Sequence, residues 1–260
     1  MRPIFIALCL SLAATPASAE RFALAYDGAA FGLAPLGAVS IDAEVFDDSY
    51  RIDAALESGG LLNLFERTEI RAAASGRIQG GALRWERYEL DHRYSAKRRV
   101  IAMRAEADGA VLAEITPNYR LWGDPAASDE QRRRSRDPLS SLMAMAIDIG
   151  QTHRCAGAYP TFDGRFYYLL ELAGGEIEAF RGGGYEGQVL KCALAYIAVA
   201  GFERGDAGRR RIPHGQIWFA LAPNSNFAPP VRVATPLTAG AVVLRLRSWR
   251  RALVEIAATP

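Results

Sequence analysis

The chain has 260 residues, 50% hydrophobic and 23% charged, with a formal net charge of +2. This balance excludes wholesale disorder, and the near-neutral charge excludes a dedicated nucleic-acid binder, which needs a clustered cationic surplus. At this length roughly 70% or more of the unfolded surface can be buried, so neither a disulfide nor a metal is needed merely to fold.

Residues 1–19 read as a cleavable export signal. Arg2 is the positive start, residues 4–14 are apolar, and Ala17-Ser18-Ala19 is a small-residue cleavage pattern, with cleavage expected after Ala19. Cys9, inside the apolar run and preceded by Leu8, does not fit a lipidation site. The mature chain, 20–260, loses only Arg2 among its charged residues and carries a net charge of +1. Its most apolar later run, 189–202, is interrupted by Lys191 and is too short to span a bilayer. A single periplasmic domain without a transmembrane span is expected.

The dominant period is two, the signature of half-buried antiparallel strands. Phe22, Leu24 and Tyr26 alternate with small or polar residues, as do Val39, Ile41, Ala43 and Val45. Tyr50, Ile52, Ala54 and Leu56 follow the turn Asp47-Asp48-Ser49. Gly59-Gly60 breaks the pattern, and residues 61–65 read as a short helical turn or hairpin cap. Strands are expected again at 69–72, 83–94, 100–107 and 111–115, giving six or seven in the first half.

Residues 116–136 read as a long irregular loop ending in the basic cluster Arg132, Arg133, Arg134 and Arg136. A helix over 138–147 follows, with Asp137 as N-cap, Pro138 at its first position and Gly150 beyond its end. Leu139, Leu142, Met143 and Ala146 form its apolar stripe, either a core face or the wall of an apolar ligand site. Strands return at 166–172, 190–198, 216–221, 231–235 and 241–249, with turns at Gly175-Glu176 and Gly182-Gly183-Gly184. The polar stretch 201–213 carries a second basic cluster, Arg209, Arg210 and Arg211. Neither cluster is interleaved with the aromatics that single-stranded nucleic acid would require. Both are candidate anion-contact loops, set against the plainer reading of solvated loops.

After signal removal Cys155 and Cys192 remain, 37 positions apart. In an oxidising compartment they predict one disulfide, worth about 3–4 kcal/mol in the chain-entropy model. Two cysteines and scattered histidines offer no ligand set, so no metal and no cofactor is expected. No nucleophile elbow, zinc-helix motif or phosphate loop appears. A hydrolase could be drawn only from Ser140 or Ser141 with His153, Asp137 and Asp148, and serine at a helix start is usually ordinary helix chemistry. Glu89 and Asp91 share a strand face with Arg87 and Arg93, which reads as a solvated charge ladder. No catalytic residue is assigned, and the reading leans away from an enzyme.

Several motifs in order resemble a known family. They are Tyr26-Asp27-Gly28, Leu36-Gly37-Ala38-Val39, Asp137-Pro138-Leu139-Ser140, Pro160-Thr161-Phe162-Asp163-Gly164, Cys192, and Thr235-Pro236 through Gly240 to Leu244. The set resembles the exported proteobacterial proteins grouped as domain of unknown function 3108. The resemblance implies a periplasmic β-rich body with no assigned activity. The arginine-rich loop 126–136 departs from that pattern. A looser architectural similarity is to periplasmic lipoprotein carriers, in which a curved sheet wraps helices over an apolar cavity.

The expected fold is mainly β, a strongly curved antiparallel sheet or open β-barrel with one short amphipathic helix packed on or capping it. The expected role is non-enzymatic binding or envelope maintenance, with an apolar or lipid-like ligand. The alternative is an envelope scaffold that docks a protein through exposed strand edges and the arginine loops.

Overall fold

A computed structural model describes residues 17–64, 66–205, 212–237 and 240–256. Seven strands come first: β1 (Ala17–Ala30), β2 (Ala34–Val45), β3 (Ser49–Ser58), β4 (Thr68–Gln79), β5 (Ala82–Tyr94), β6 (Lys97–Ala105) and β7 (Val111–Thr116). A 3-10 helix, Gly60–Leu64, links β3 to β4. Two helices follow, α1 (Asp129–Arg133) and α2 (Pro138–Thr152). The remaining strands are β8 (Gly157–Phe162), β9 (Tyr167–Gly182), β10 (Tyr185–Ala200), β11 (Gly215–Ala220), β12 (Pro230–Leu237) and β13 (Gly240–Ile256).

All thirteen strands form one antiparallel sheet in the order β7-β6-β5-β4-β3-β2-β1-β13-β12-β11-β10-β9-β8. β1 and β13 join its two halves, and Ala17 to Ala19, before the expected cleavage point, pair with β13. β7 and β8 end the sheet and are not hydrogen-bonded to each other among the described residues. The expected curved, open, barrel-like sheet with a helix against it is the observed fold.

The in-register pairing converts the period-two pattern into rows across the concave face. Phe22, Ala43, Ile52, Ala74, Tyr88 and Met103 are successive partners on six strands and all are buried. In the next row Leu24, Ile41 and Ile101 are buried, while Ala54, Ala72 and Leu90 are half-buried. One row further, Tyr26 is buried, while Val39, Leu56, Ile70 and His92 are half-buried. The last row is Gly28, Gly37 and Ser58. The concave face is thus closed at one end and progressively open at the other.

The helix α2 closes it. It packs on β3, β4, β5 and β8, bridging strands far apart in the sheet order. Asp137 caps it as expected, accepting from the Ser140 backbone N–H at 2.9 Å. It runs to Thr152 rather than ending at 147, because Gly150 is a packing glycine and not a terminator. A Cβ at Gly150 would lie 2.3 Å from the Asn226 carbonyl oxygen, and in the same loop Ala228 N–H donates to the Ala146 carbonyl at 2.9 Å. His153, in the left-handed conformation at φ 52°, ends the helix.

Three further differences have local causes. The supposed loop 116–136 contains α1, begun by a reciprocal capping box between Ser128 and Gln131. Gly175-Glu176 is not a turn, since β9 runs through it with a register shift opposite Cys192. Residues 157–162, unassigned as a strand from sequence, pair with β9 as β8. The shift at Gly174-Gly175 makes room for the disulfide: Cys155 and Cys192 are bonded, with Cα atoms 5.4 Å apart. A Cβ on Gly175 would sit 3.5 Å from the Cys155 sulfur. The bridge staples the exit of α2 to β10.

Candidate functional site

The closed end of the concave face carries the most buried polar chemistry in the described chain. Asp137, Ser140, Ser141 and Thr161 are each 0% exposed. The Ser140 hydroxyl donates to the Asp137 carboxylate, and it also meets the Tyr50 hydroxyl of β3 at 2.6 Å. Ser141 pairs with Thr161 of β8 at 2.8 Å, and Trp85 Nε1 of β5 donates to the Ser135 carbonyl at 2.9 Å. Arg136 forms a parallel bridge to Thr161. The Asp-Pro-Leu-Ser segment is therefore a knot joining β3, β5 and β8. Burial pushes the Asp137 carboxyl up to about 6, against the pull of its hydrogen bonds from Ser140 and Leu139. Burial likewise raises the Tyr50 phenol far above its ordinary range.

Among the described residues, the carboxylate and hydroxyls of this knot are sealed from solvent. Ser140 and Ser141 are sealed, and His153 lies thirteen residues along the helix from Ser140, about 20 Å by helical rise, and is exposed. Asp148 accepts instead from the Tyr159 hydroxyl at 2.9 Å. The serine–histidine–aspartate grouping drawn from the sequence is not brought together. The α2 stripe also resolves: Met143 and Ala146 are 0% exposed and belong to the core. Leu139 and Leu142 are half-buried and pack against that core. Buried Ser140, Ser141, Ala144 and Ile147 extend contact well beyond one stripe, because α2 is enclosed by the sheet and the 222–229 loop.

The open end holds an apolar trough of about 410 Å³. Leu36 and Val39 of β2, Leu56 of β3, Leu244 of β13 and Leu62 of the 3-10 helix line it, with Glu57, Glu66, Ser58 and Thr68 among the polar groups around it. The glycine row explains the room. Gly28 and Gly37 are strand partners that bring no side chain to that end, and Gly37 is held to glycine because a Cβ there would meet the Glu57 carbonyl oxygen at 2.2 Å, in the backbone of β3. The 3-10 helix is held beside the trough because Gly59 N–H donates to the Leu36 carbonyl at 2.8 Å. None of these residues was singled out as a site from sequence. The available signal was the replacement of large inward residues by Gly28 and Gly37 at adjoining strand ends.

A second concavity, of about 630 Å³, lies on the outer face between β2 and β6. It is floored by Ala55, Ala73 and Ala102 and walled by Asp42, Asp53, Glu89, Asp91, Arg71 and Arg98. Much of the wall is internally paired: Asp91 accepts from Arg98 at 2.8 Å and Arg93 at 3.3 Å, and Asp53 from Arg51 at 2.9 Å. This matches the charge ladder expected of that face.

The first basic cluster is occupied by the protein itself. Arg132 donates to the Ala127 carbonyl at 3.0 Å, Arg133 reaches the Asp108 carbonyl at 3.4 Å, and Arg134 lies 2.5 Å from Glu130. Arg136 is half-buried, its Nε lacking a hydrogen-bond partner. Arg209, Arg210 and Arg211 lie outside the described residues. Among the described residues no group of three His, Cys, Asp or Glu side chains is placed to hold a metal ion, and no helix is long and apolar enough to cross a membrane.

No family model and no curated protein matches the chain. The resemblance to domain of unknown function 3108 thus rests on its motifs alone. A solved structure is similar in fold: a β-barrel-like protein of domain of unknown function 1849 from Brucella abortus. It has a TM-score of 0.54 at 9% identity, covering 89% of this chain and 98% of the other. At that identity the likeness establishes the fold and no activity.

Proposed function

We propose that this chain is an exported, non-enzymatic envelope protein that holds an apolar or amphipathic ligand in the trough at the open end of its sheet. The observation that carries the reading is the 410 Å³ apolar trough, which lies within the usual size range of small-molecule pockets. The disulfide Cys155–Cys192 is compatible with an oxidising compartment. The export-signal pattern and the motifs resembling domain of unknown function 3108 support the periplasm as that compartment.

Native mass spectrometry of gently purified protein, followed by solvent extraction, tests the reading. A bound species carrying an alkyl or acyl chain is expected, and it should be lost when Leu56→Trp fills the trough. Ligand-free wild-type protein, or equal occupancy in the variant, overturns it.

A second reading is favoured by the β7 edge. Among the described residues β7 is hydrogen-bonded only to β6, and Leu112 on it is exposed, which suits strand addition by a protein partner. The arginine segment cannot be deleted to test this, since Ser135 and Arg136 belong to the core knot. Glu114→Pro is the milder probe. Unchanged capture of envelope proteins by this variant would reject the edge as the docking strand.

A further inference from the structure

The trough opens among three chain reversals that share an unusual composition. β1 and β2 turn at Phe31 to Leu33, β12 ends at Leu237 where antiparallel β13 begins at Gly240, and β3 leads into the 3-10 helix. Strand directions put all three at the same end of the sheet. They are joined to one another. Phe31 N–H donates to the Ala241 carbonyl at 2.9 Å, and a Cβ on Gly60 would meet the Pro35 carbonyl oxygen at 2.2 Å.

The sequence carries no charge over 28–41, 58–65 and 233–244. Leu33 is 92% exposed, and Phe31, Leu62 and Leu237 are 54%, 42% and 41% exposed. Scattered exposed leucines need no explanation, but a contiguous band at hairpin tips does. Farther along the sheet the same end carries charge, at Lys97 and Arg98 beside the β5–β6 turn, so the uncharged composition is confined to these three neighbouring reversals.

We propose that this rim is a membrane-contact surface, which dips Phe31, Leu33, Leu62 and Leu237 into a lipid leaflet and sets the mouth of the trough against the acyl chains. The inference deepens the ligand reading and rests on it for what the trough takes up: the ligand would be a chain drawn from that leaflet. Three features favour lipid over a protein partner. Phe31, Leu33 and Leu237 sit at strand reversals and not in the lining of the trough. The stretches 28–41, 58–65 and 233–244 offer no charged side chain for a complementary protein to read, with Glu57, Glu66 and Arg67 at their margins. Leu62 belongs both to the rim and to the trough wall, so a chain passing inward stays in apolar contact.

Co-sedimentation of the full chain with phosphatidylcholine vesicles, and with vesicles containing phosphatidylglycerol, tests this. Wild type should bind both. Leu33→Asp should weaken binding about tenfold or more, the order expected from losing one buried leucine. Leu112→Asp, an equal change at an exposed leucine on β7, should leave binding unaltered. A tryptophan at position 33 (Leu33→Trp) should shift its emission to the blue on adding vesicles. Failure of wild type to bind vesicles, or equal losses in Leu33→Asp and Leu112→Asp, overturns the proposal. So does a dimer in buffer that Leu33→Asp dissociates, since a second copy would then cover the rim. Leu56→Trp separates the two readings. Vesicle binding that survives this substitution supports the rim even if no ligand is ever extracted. A trough ligand found in protein that ignores vesicles keeps the ligand reading and removes this one.

Discussion

The two ends of the concave face solve opposite problems with the same alternating strands. At the closed end, α2 packs on the strands that carry the large inward side chains Tyr50 and Tyr88, and the hydroxyls of Tyr50, Ser140, Ser141 and Thr161 all have partners. At the open end the inward row shrinks to Gly28, Gly37 and Ser58, and only a five-residue 3-10 helix lies nearby. The comparison teaches that stability and binding are separated along the strands. The polar knot and the disulfide hold the two halves of an unclosed sheet together, and this leaves the far rows unfilled.

If that division is right, changes at the closed end should appear in unfolding and changes at the open end in binding. The largest effect is expected from replacing Cys155 and Cys192 with alanine. Loss of the bridge should cost about 4 kcal/mol in denaturant unfolding, the chain-entropy value for a loop of this length. A loss close to zero would mean that the exit of α2 needs no staple. Gly150→Val should follow, costing about 3 kcal/mol, since its Cβ would displace the backbone at Asn226 and with it buried Phe227.

Asp137 supplies a pH test of the closed end. Its carboxyl is raised by burial from 3.8 to about 6, so the folded state holds the proton more tightly than the unfolded chain. Its contribution is most favourable below pH 4 and is lost as pH rises through 6. Relative to Asp137→Asn, wild type should therefore lose about 2 kcal/mol of stability between pH 4 and pH 7. Parallel pH profiles for the two proteins would show that the carboxyl is not sealed as described. The smallest stability effect belongs to the open end. Leu56→Trp should change unfolding by under about 1 kcal/mol while abolishing ligand retention. A large destabilisation there would erase the distinction between the two ends.

Much of this was legible along the chain. The alternation at 22–26, 39–45 and 50–56 marks strands and their buried faces, because side chains on a strand change sides at every residue. Asp137-Pro138 announces a helix start by capping chemistry, and two cysteines behind an export-signal pattern announce a bridge. Other features depended on distant neighbours. Gly150 looks like a helix end until the 222–229 loop is seen against it. Residues 157–162 read as a strand only beside β9. Leu139, Leu142, Met143 and Ala146 looked like one stripe, yet the enclosure of α2 buries a wider arc. The capping box at Ser128 and Gln131 is present in the sequence, but the irregular, charged stretch around it masks so short a helix.

The sequence by itself determined the antiparallel strand class, which residues face inward, the start of α2 and the cysteine pairing, since each follows from local periodicity, capping or a simple count. Only the tertiary structure decided that β1 joins β13, that α2 spans β3 to β8, and that the inward glycines align into an open trough. A period-two pattern says which side of a strand is apolar. It does not say which strand, more than two hundred residues away, will lie beside it.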